Sequence, residues 1–227
     1  LVRTNRDGRP QQGISFLLLD MDTPGITVRP ILTLSDDHDF NQVFFDNVRV
    51  PQSGRVGEED QGWGVAKYLL EFERSAAYAA GLKATIDRLA DHAGASVGEG
   101  GDSLLREPAI RRSFARLYDD VAVIEAGEKK MMSALASGQS PGPASSMLKV
   151  KGTELQQRIQ ELAVDIAGPY AAPHQLSART MGYNGEFAGP KEDLTATARY
   201  FNGRAASIYG GSNEVQRNIM AKLILGL

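Results

Sequence analysis

The 227-residue sequence predicts an α+β chain that is mainly α, with part of a β domain followed by an antiparallel helical bundle. Short apolar runs bounded by turn chemistry fill the chain to about residue 58. From about Asp60 the apolar spacing changes to three and four residues. Long helical segments separated by Gly/Pro turns then imply packing as a bundle. The expected division is 1–58 for the β part and 59–227 for the helical part.

Leu1 to Thr4 reads as the end of a strand already under way, and the chain is expected to be the C-terminal part of a larger protein. Asn5 to Pro10 is turn chemistry, with Asp7-Gly8 as its strongest signal. Ile14 to Leu19 is a nearly continuous apolar run, which predicts a well-buried strand. After the Thr23-Pro24-Gly25 turn, Ile26 and Val28 alternate with Thr27 and Arg29, and Pro30 limits that strand. Gln42 to Val50 predicts another strand, ended by Pro51.

Trp63, Val65, Ala66, Leu69, Leu70, Phe72 and Ala76 lie at amphipathic helical spacing. With no proline and much alanine through Leu89, one helix of about 30 residues is expected. The four glycines of Gly94 to Asp102 predict a flexible break. Glu107-Pro108 starts a second long helix, which runs to about Ser137. Gly138 to Pro143 is a turn, and a third helix runs from about Ala144 to Ala167. Gly168 to Pro190 is rich in loop residues; a fourth helix follows at about Leu194 to Ala206, and a fifth after Gly211.

Composition narrows the function classes. Charged residues make up 23% and the net charge is −3 without a Lys/Arg block, which argues against a nucleic-acid partner. No run approaches the roughly 20 apolar residues of a membrane span. The absence of cysteine fits a reducing compartment and excludes thiolate chemistry. His38, His92 and His174 are scattered rather than at ligand spacing, so no metal site is expected.

The stretch Tyr209-Gly210-Gly211-Ser212-Asn213-Glu214 places a Gly-Gly turn before a helix capped by Ser or Asn. Such a turn presents unpaired N–H groups at a positive helix end, which suits a phosphate, a carbonyl oxygen or a flavin edge. Three blocks precede it: Asp20 to Val28, Phe45 to Pro51, and Gly57 to Gly64. Together the four resemble the acyl-CoA dehydrogenases, flavoproteins that desaturate the acyl chain of a coenzyme A thioester. The resemblance covers nearly the whole chain and is weaker at Asp91–Glu107 and Gly168–Asp193.

The resemblance implies FAD as cofactor, an acyl-CoA substrate, an electron-transfer flavoprotein as electron acceptor, and a homo- or hetero-tetramer in the bacterial cytoplasm. In much of that family a Glu follows the Tyr of the C-terminal turn as the α-proton base; Gly210 stands there in this chain. A subset places the base on the long helix, and Glu73 matches that position. Its neighbours three and four residues away are Leu69, Leu70, Ala76 and Ala77, so Glu73 projects from an apolar face. Gly210 retains an N–H for the thioester carbonyl, and Gly211, Ser212, Asn213 and Glu214 match positions near the flavin. Glu71 and Arg74 match positions beside the substrate, while Glu71 is also spaced to pair with Lys67. Trp63, between two glycines, is expected to be a packing anchor.

Two further segments depart from the family pattern. Arg88 stands where an Arg-x-x-Phe-Gly segment is expected, and Asp165 to Pro169 replaces Gln-x-x-Gly-Gly. Both resemble bacterial members acting on dicarboxylyl- or ring-derived CoA esters, such as pimeloyl-CoA dehydrogenase large subunits. The expected function is therefore FAD-dependent α,β-dehydrogenation of an acyl-CoA, with this chain alone inactive and a weak binder of FAD. The alternative is a non-catalytic partner subunit of a hetero-oligomeric acyl-CoA dehydrogenase. A structural helical module and an oxidase or monooxygenase of the same fold are the remaining readings.

Overall fold

The computed structural model describes residues 1–73, 77–98 and 100–227, and of Glu71, Phe72 and Glu73 the backbone alone. Two compact units are present: Leu1–Thr33 with Asp37–Ala76, and Leu34–Asp36 with Ala77–Leu227.

In the first unit, β1 (Val2–Arg3), β2 (Ile14–Leu17) and β5 (Arg55–Val56) form an antiparallel sheet in the order β1-β2-β5. β3 (Ile26–Ile31) and β4 (Phe40–Phe45) form a separate antiparallel ribbon. The apolar run expected to be a well-buried strand is only partly so: β2 ends at Leu17, Leu18 is 62% exposed, and the buried residue is Ser15. Pro30 lies inside β3 opposite Asn41 instead of ending it. Both strands of a two-stranded ribbon are edges, so a missing N–H is tolerated there. β4 begins and ends earlier than expected; Asp46 N–H returns to the Gly25 carbonyl, and Asn47 turns the chain with a φ of +51°.

Helix α1 (Gly62–Glu73) starts where β2 holds it. The Ser15 hydroxyl accepts the Asp60 N–H at 2.9 Å and shares a 2.8 Å hydrogen bond with the Thr4 hydroxyl. Thr4 in turn donates to the Asp60 carboxylate at 2.5 Å. A polar residue inside an apolar strand is thus fully satisfied, and it sets the entry to α1. Trp63, the expected anchor, is 37% exposed at the start of this helix.

The second unit holds α2 (Ala79–Ala95), α3 (Pro108–Ala136), α4 (Pro143–Ala167), α5 (Ala196–Gly203) and α6 (Asn213–Met220). α6 continues as a π turn over Ala221–Leu225, and Gly226 ends it with a φ of +71°. Proline opens both α3 and α4, where its missing N–H costs nothing. Ile86 of α2, Phe114, Val121 and Ile124 of α3, and Leu148, Leu155 and Ile159 of α4 form the core. α4 is the central element, in contact with α2, α3, α5 and α6. His92 of α2 meets Asp193 at 2.6 Å and pins the chain entering α5. Among the described residues no helix is long and apolar enough to cross a membrane.

The single helix expected from Asp60 to Leu89 is two helices, with Ala77 and Tyr78 outside both. The cause lies elsewhere in the chain. The Glu128 carboxylate of α3 accepts the N–H groups of Tyr78 and Ala79 at 2.5 and 3.0 Å, capping the start of α2. The Tyr78 ring packs on Gly152 of α4, where a Cβ would come within 2.6 Å of ring carbons. Gly152→Ala must therefore displace Tyr78 and should destabilise the protein by about 1–3 kcal/mol, read as a lower urea midpoint. An unchanged midpoint would show that the ring is not confined there.

Candidate functional site

The chain enters α6 through a turn that ends at Ser212. Ser212 has extended backbone, and its hydroxyl oxygen accepts the Val215 N–H at 3.4 Å, the geometry of an N-cap. Before it, Gly210 and Gly211 have φ values of +65° and +90°, where a side chain is strained. A Cβ on Gly210 would meet nothing within 4 Å, so backbone conformation and not crowding selects glycine. Among the described residues the Gly210 N–H makes no hydrogen bond, while the hydrogen-bonded turn over 208–210 closes on the Gly211 N–H. A free donor at the positive end of a helix fits an oxygen acceptor or the edge of a flavin.

The predicted residues around this turn divide by environment. Gly210 and Glu214 are exposed, and Gly211 and Ser212 are half-buried. Asn213 is buried at 2% exposure. Its Oδ1 accepts from the Lys149 ammonium at 2.8 Å, and its Nδ2 donates to the Thr153 hydroxyl at 3.2 Å. The Asn213 side chain is thus taken up inside the bundle, which leaves its backbone for a ligand. Gln216 is fully buried and accepts the Ser146 hydroxyl at 2.9 Å, while Arg217 pairs with Glu154.

Glu73 is the last residue of α1, and Glu71 lies two positions before it. Both belong to the first unit, and the Tyr209–Glu214 turn belongs to the second. Arg74 lies outside the described residues. Lys149 was not among the residues expected at this site. Its signal was present as a polar stripe on α4, Ser145, Ser146, Lys149 and Thr153, at spacings of three and four residues.

A cavity of about 480 Å³ lies between α2, α4 and α5 beside this turn, lined by Tyr78, Ile159, Gln160, Asn202 and Tyr209. A larger one, about 1030 Å³, includes the Asp165–Pro169 segment. There Asp91, Glu107, Asp165 and Glu192 share the lining with one guanidinium, Arg88, beside the His92–Asp193 pair. A lining in which carboxylates outnumber cations repels a diphosphate. The Gly210 donor therefore fits a flavin edge, whereas this cavity does not fit the diphosphate of the adenine half.

The Glu214 carboxyl is held below the ordinary glutamate range, first by its own backbone N–H and then by the Ser212 hydroxyl, with Arg217 and Lys149 adding charge. A depressed folded-state pKa contributes stability above the unfolded value of about 4.3, lost as pH falls through the lower folded value. Glu214→Gln should thus lower the Tm at neutral pH, and the gap to the parent should narrow progressively as pH falls below about 4.3. A gap that is constant with pH would remove the carboxylate from the cap.

The family model for the acyl-CoA dehydrogenase C-terminal domain matches residues 60–225. The acyl-CoA dehydrogenase IpdE1 of Mycolicibacterium smegmatis is 30% identical over 227 residues, covering 100% of this chain and 52% of its own length. The structure of the Tcur3481-Tcur3483 steroid ACAD matches with a TM-score of 0.79 at 26% identity, over 99% of this chain and 55% of that one. The ChsE4-ChsE5 complex from Mycobacterium tuberculosis matches with a TM-score of 0.73 at 27% identity, over 96% of this chain and 55% of that one. The chain spans about half the length of the curated relatives it matches. With the capped Gly-Gly turn, the α4-centred bundle and these matches in agreement, the chain belongs to the acyl-CoA dehydrogenase family, of which it carries the C-terminal domain.

Proposed function

We propose that the whole protein is an FAD-dependent acyl-CoA dehydrogenase, with Glu73 as the base for the α proton and the Gly210 N–H as a donor to the thioester carbonyl. The observation that carries this reading is the Gly210 N–H, left without a hydrogen bond in the Gly-Gly turn ahead of α6. A fixed N–H aimed at the carbonyl oxygen stabilises the negative charge that develops as the α proton leaves. Gly210 removes the carboxylate from the turn, so the base must come from elsewhere. Glu73 supplies it from the last position of α1, where the residues one turn earlier are Leu69 and Leu70. A carboxylate that bound substrate shields from water is a stronger base than one in water.

Bound FAD would supply the acceptor for the hydride of the β carbon, the two-electron oxidation that a 2-enoyl thioester product requires. In this reading Gly211, Ser212 and the Asn213 backbone form one wall of the flavin site, with Glu214 at its rim. Glu71 and Arg74 lie on the substrate side. An electron-transfer flavoprotein reoxidises the cofactor, and the assembly is a tetramer in the cytoplasm. We favour a ring-bearing acyl group, since the Tcur3481-Tcur3483 relative is described as a steroid enzyme. The division at 1–58 and 59–227 is part of the same proposal.

The acid-lined cavity around Asp165 favours a second reading, a partner subunit that completes a hetero-oligomer without binding the whole cofactor itself. The two-component ChsE4-ChsE5 complex supports it. Anaerobic titration of the whole protein with a panel of acyl-CoAs, followed through the visible flavin spectrum, separates the two. Bleaching by at least one acyl-CoA, slowed about a hundred- to ten-thousand-fold in Glu73→Gln, is the expected result. Bleaching at an unchanged rate in Glu73→Gln removes Glu73 as the base. Bound flavin that no acyl-CoA bleaches favours the partner subunit.

A further inference from the structure

Lys149 of α4 is 3% exposed, yet no carboxylate shares a hydrogen bond with it among the described residues. Its ammonium donates to the Ala206 carbonyl at 3.1 Å and to Asn213 Oδ1 at 2.8 Å. Ala206 lies in the 3₁₀ turn Arg204–Ser207 that follows α5, and Asn213 is the first residue of α6. The segment between them, 207–212, carries Tyr209, Gly210 and Gly211. One atom therefore joins the two ends of the turn across its base.

The surrounding bonds keep that joint in register. Asn213 donates through Nδ2 to Thr153, and the Thr153 hydroxyl donates to the Lys149 carbonyl at 2.9 Å. One turn along α6, Gln216 accepts from Ser146. Ser146, Lys149 and Thr153 share one face of α4, so a single helix face holds the start of α6. The turn itself has no such anchoring: Ile208 is 69% exposed and Tyr209 52%.

Simple packing does not account for a lysine here. Burial pushes the Lys149 ammonium below its ordinary range, with the Glu214 charge acting against that. A buried cation with neutral acceptors costs more than an apolar side chain of the same length. Its place beside the N-terminus of α6 also opposes the helix dipole. The ammonium nonetheless carries three donors on one atom at the end of a long stem, so it can reach acceptors from two different segments.

We propose that Lys149 is a positioning residue whose ammonium closes the base of the 207–212 turn and thereby sets the direction of the Gly210 and Gly211 N–H groups. The catalytic consequence rests on the reading of that turn as the carbonyl donor of the site; the structural joint does not.

Amide hydrogen exchange tests the joint on this chain. The Ile208 and Tyr209 N–H groups bond to the Ala205 carbonyl, and the Gln216 N–H bonds to the Ser212 carbonyl. In Lys149→Met these three amides should exchange about tenfold faster or more, while Val121 and Ile124 of α3 keep their parent rates. Asn213→Leu, which removes one acceptor, should do the same. Asn213→Asp keeps an acceptor for the ammonium and should leave the Ile208 and Tyr209 rates within about twofold of the parent. Parent rates at all three amides in Lys149→Met, or equal acceleration throughout α3, would overturn the proposal. In the whole protein, Lys149→Met should lower kcat about a hundredfold with KM little changed, the signature of misplaced donors. An unchanged kcat would overturn the positioning role. Absence of turnover in the parent would instead count against the dehydrogenase reading, with the exchange rates still deciding the joint.

Discussion

A buried ammonium must find acceptors, and the second unit is arranged around the one on Lys149. Leaving such a charge unmatched in the interior costs several kcal/mol. The Ala206 carbonyl and the Asn213 amide therefore have to sit on the same side of α4. That requirement places the end of α5 and the start of α6 together, and the Gly-Gly turn spans the interval between them. α4 can meet it because other positions of the same helix, Leu148, Leu155 and Ile159, anchor it in the apolar core.

The same device recurs at other helix starts. Ser15 supplies an acceptor for the Asp60 N–H just before α1, Glu128 caps α2 from α3, and Ser212 caps α6 from its own turn. Each start leaves N–H groups that the helix cannot satisfy. In the first two cases the acceptor comes from a distant segment, so the helix begins where tertiary structure permits and not where local propensity alone would put it. The Tyr209–Glu214 turn differs, because its Gly210 N–H is left without a hydrogen bond among the described residues. That open donor ahead of a capped helix marks the turn as a place for a ligand.

The long helices α3 and α4 were legible from the sequence because their signals are local: proline in the first turn, apolar residues at helical spacing, and a Gly/Pro turn between them. The division of the expected first helix was not, because nothing near Ala77 breaks a helix and the capping carboxylate of Glu128 is 50 residues away. Pro30 misled for a related reason. A proline ends a strand that has neighbours on both sides, but not one in an isolated ribbon. In the site, Gly210 to Glu214 stood out through turn chemistry, whereas Lys149 did not. A lysine reads as a surface residue until the serines and threonine that share its helix face are seen as one buried polar stripe.

Proton exchange at the α carbon tests the central claim most directly, because it reports the base without requiring complete turnover. The whole protein, incubated with an unreactive acyl-CoA analogue in deuterated water, should place deuterium at the α position, as read by NMR. The account predicts that this exchange is lost in Glu73→Gln. Exchange that persists at the parent rate in that variant would contradict it and require another base.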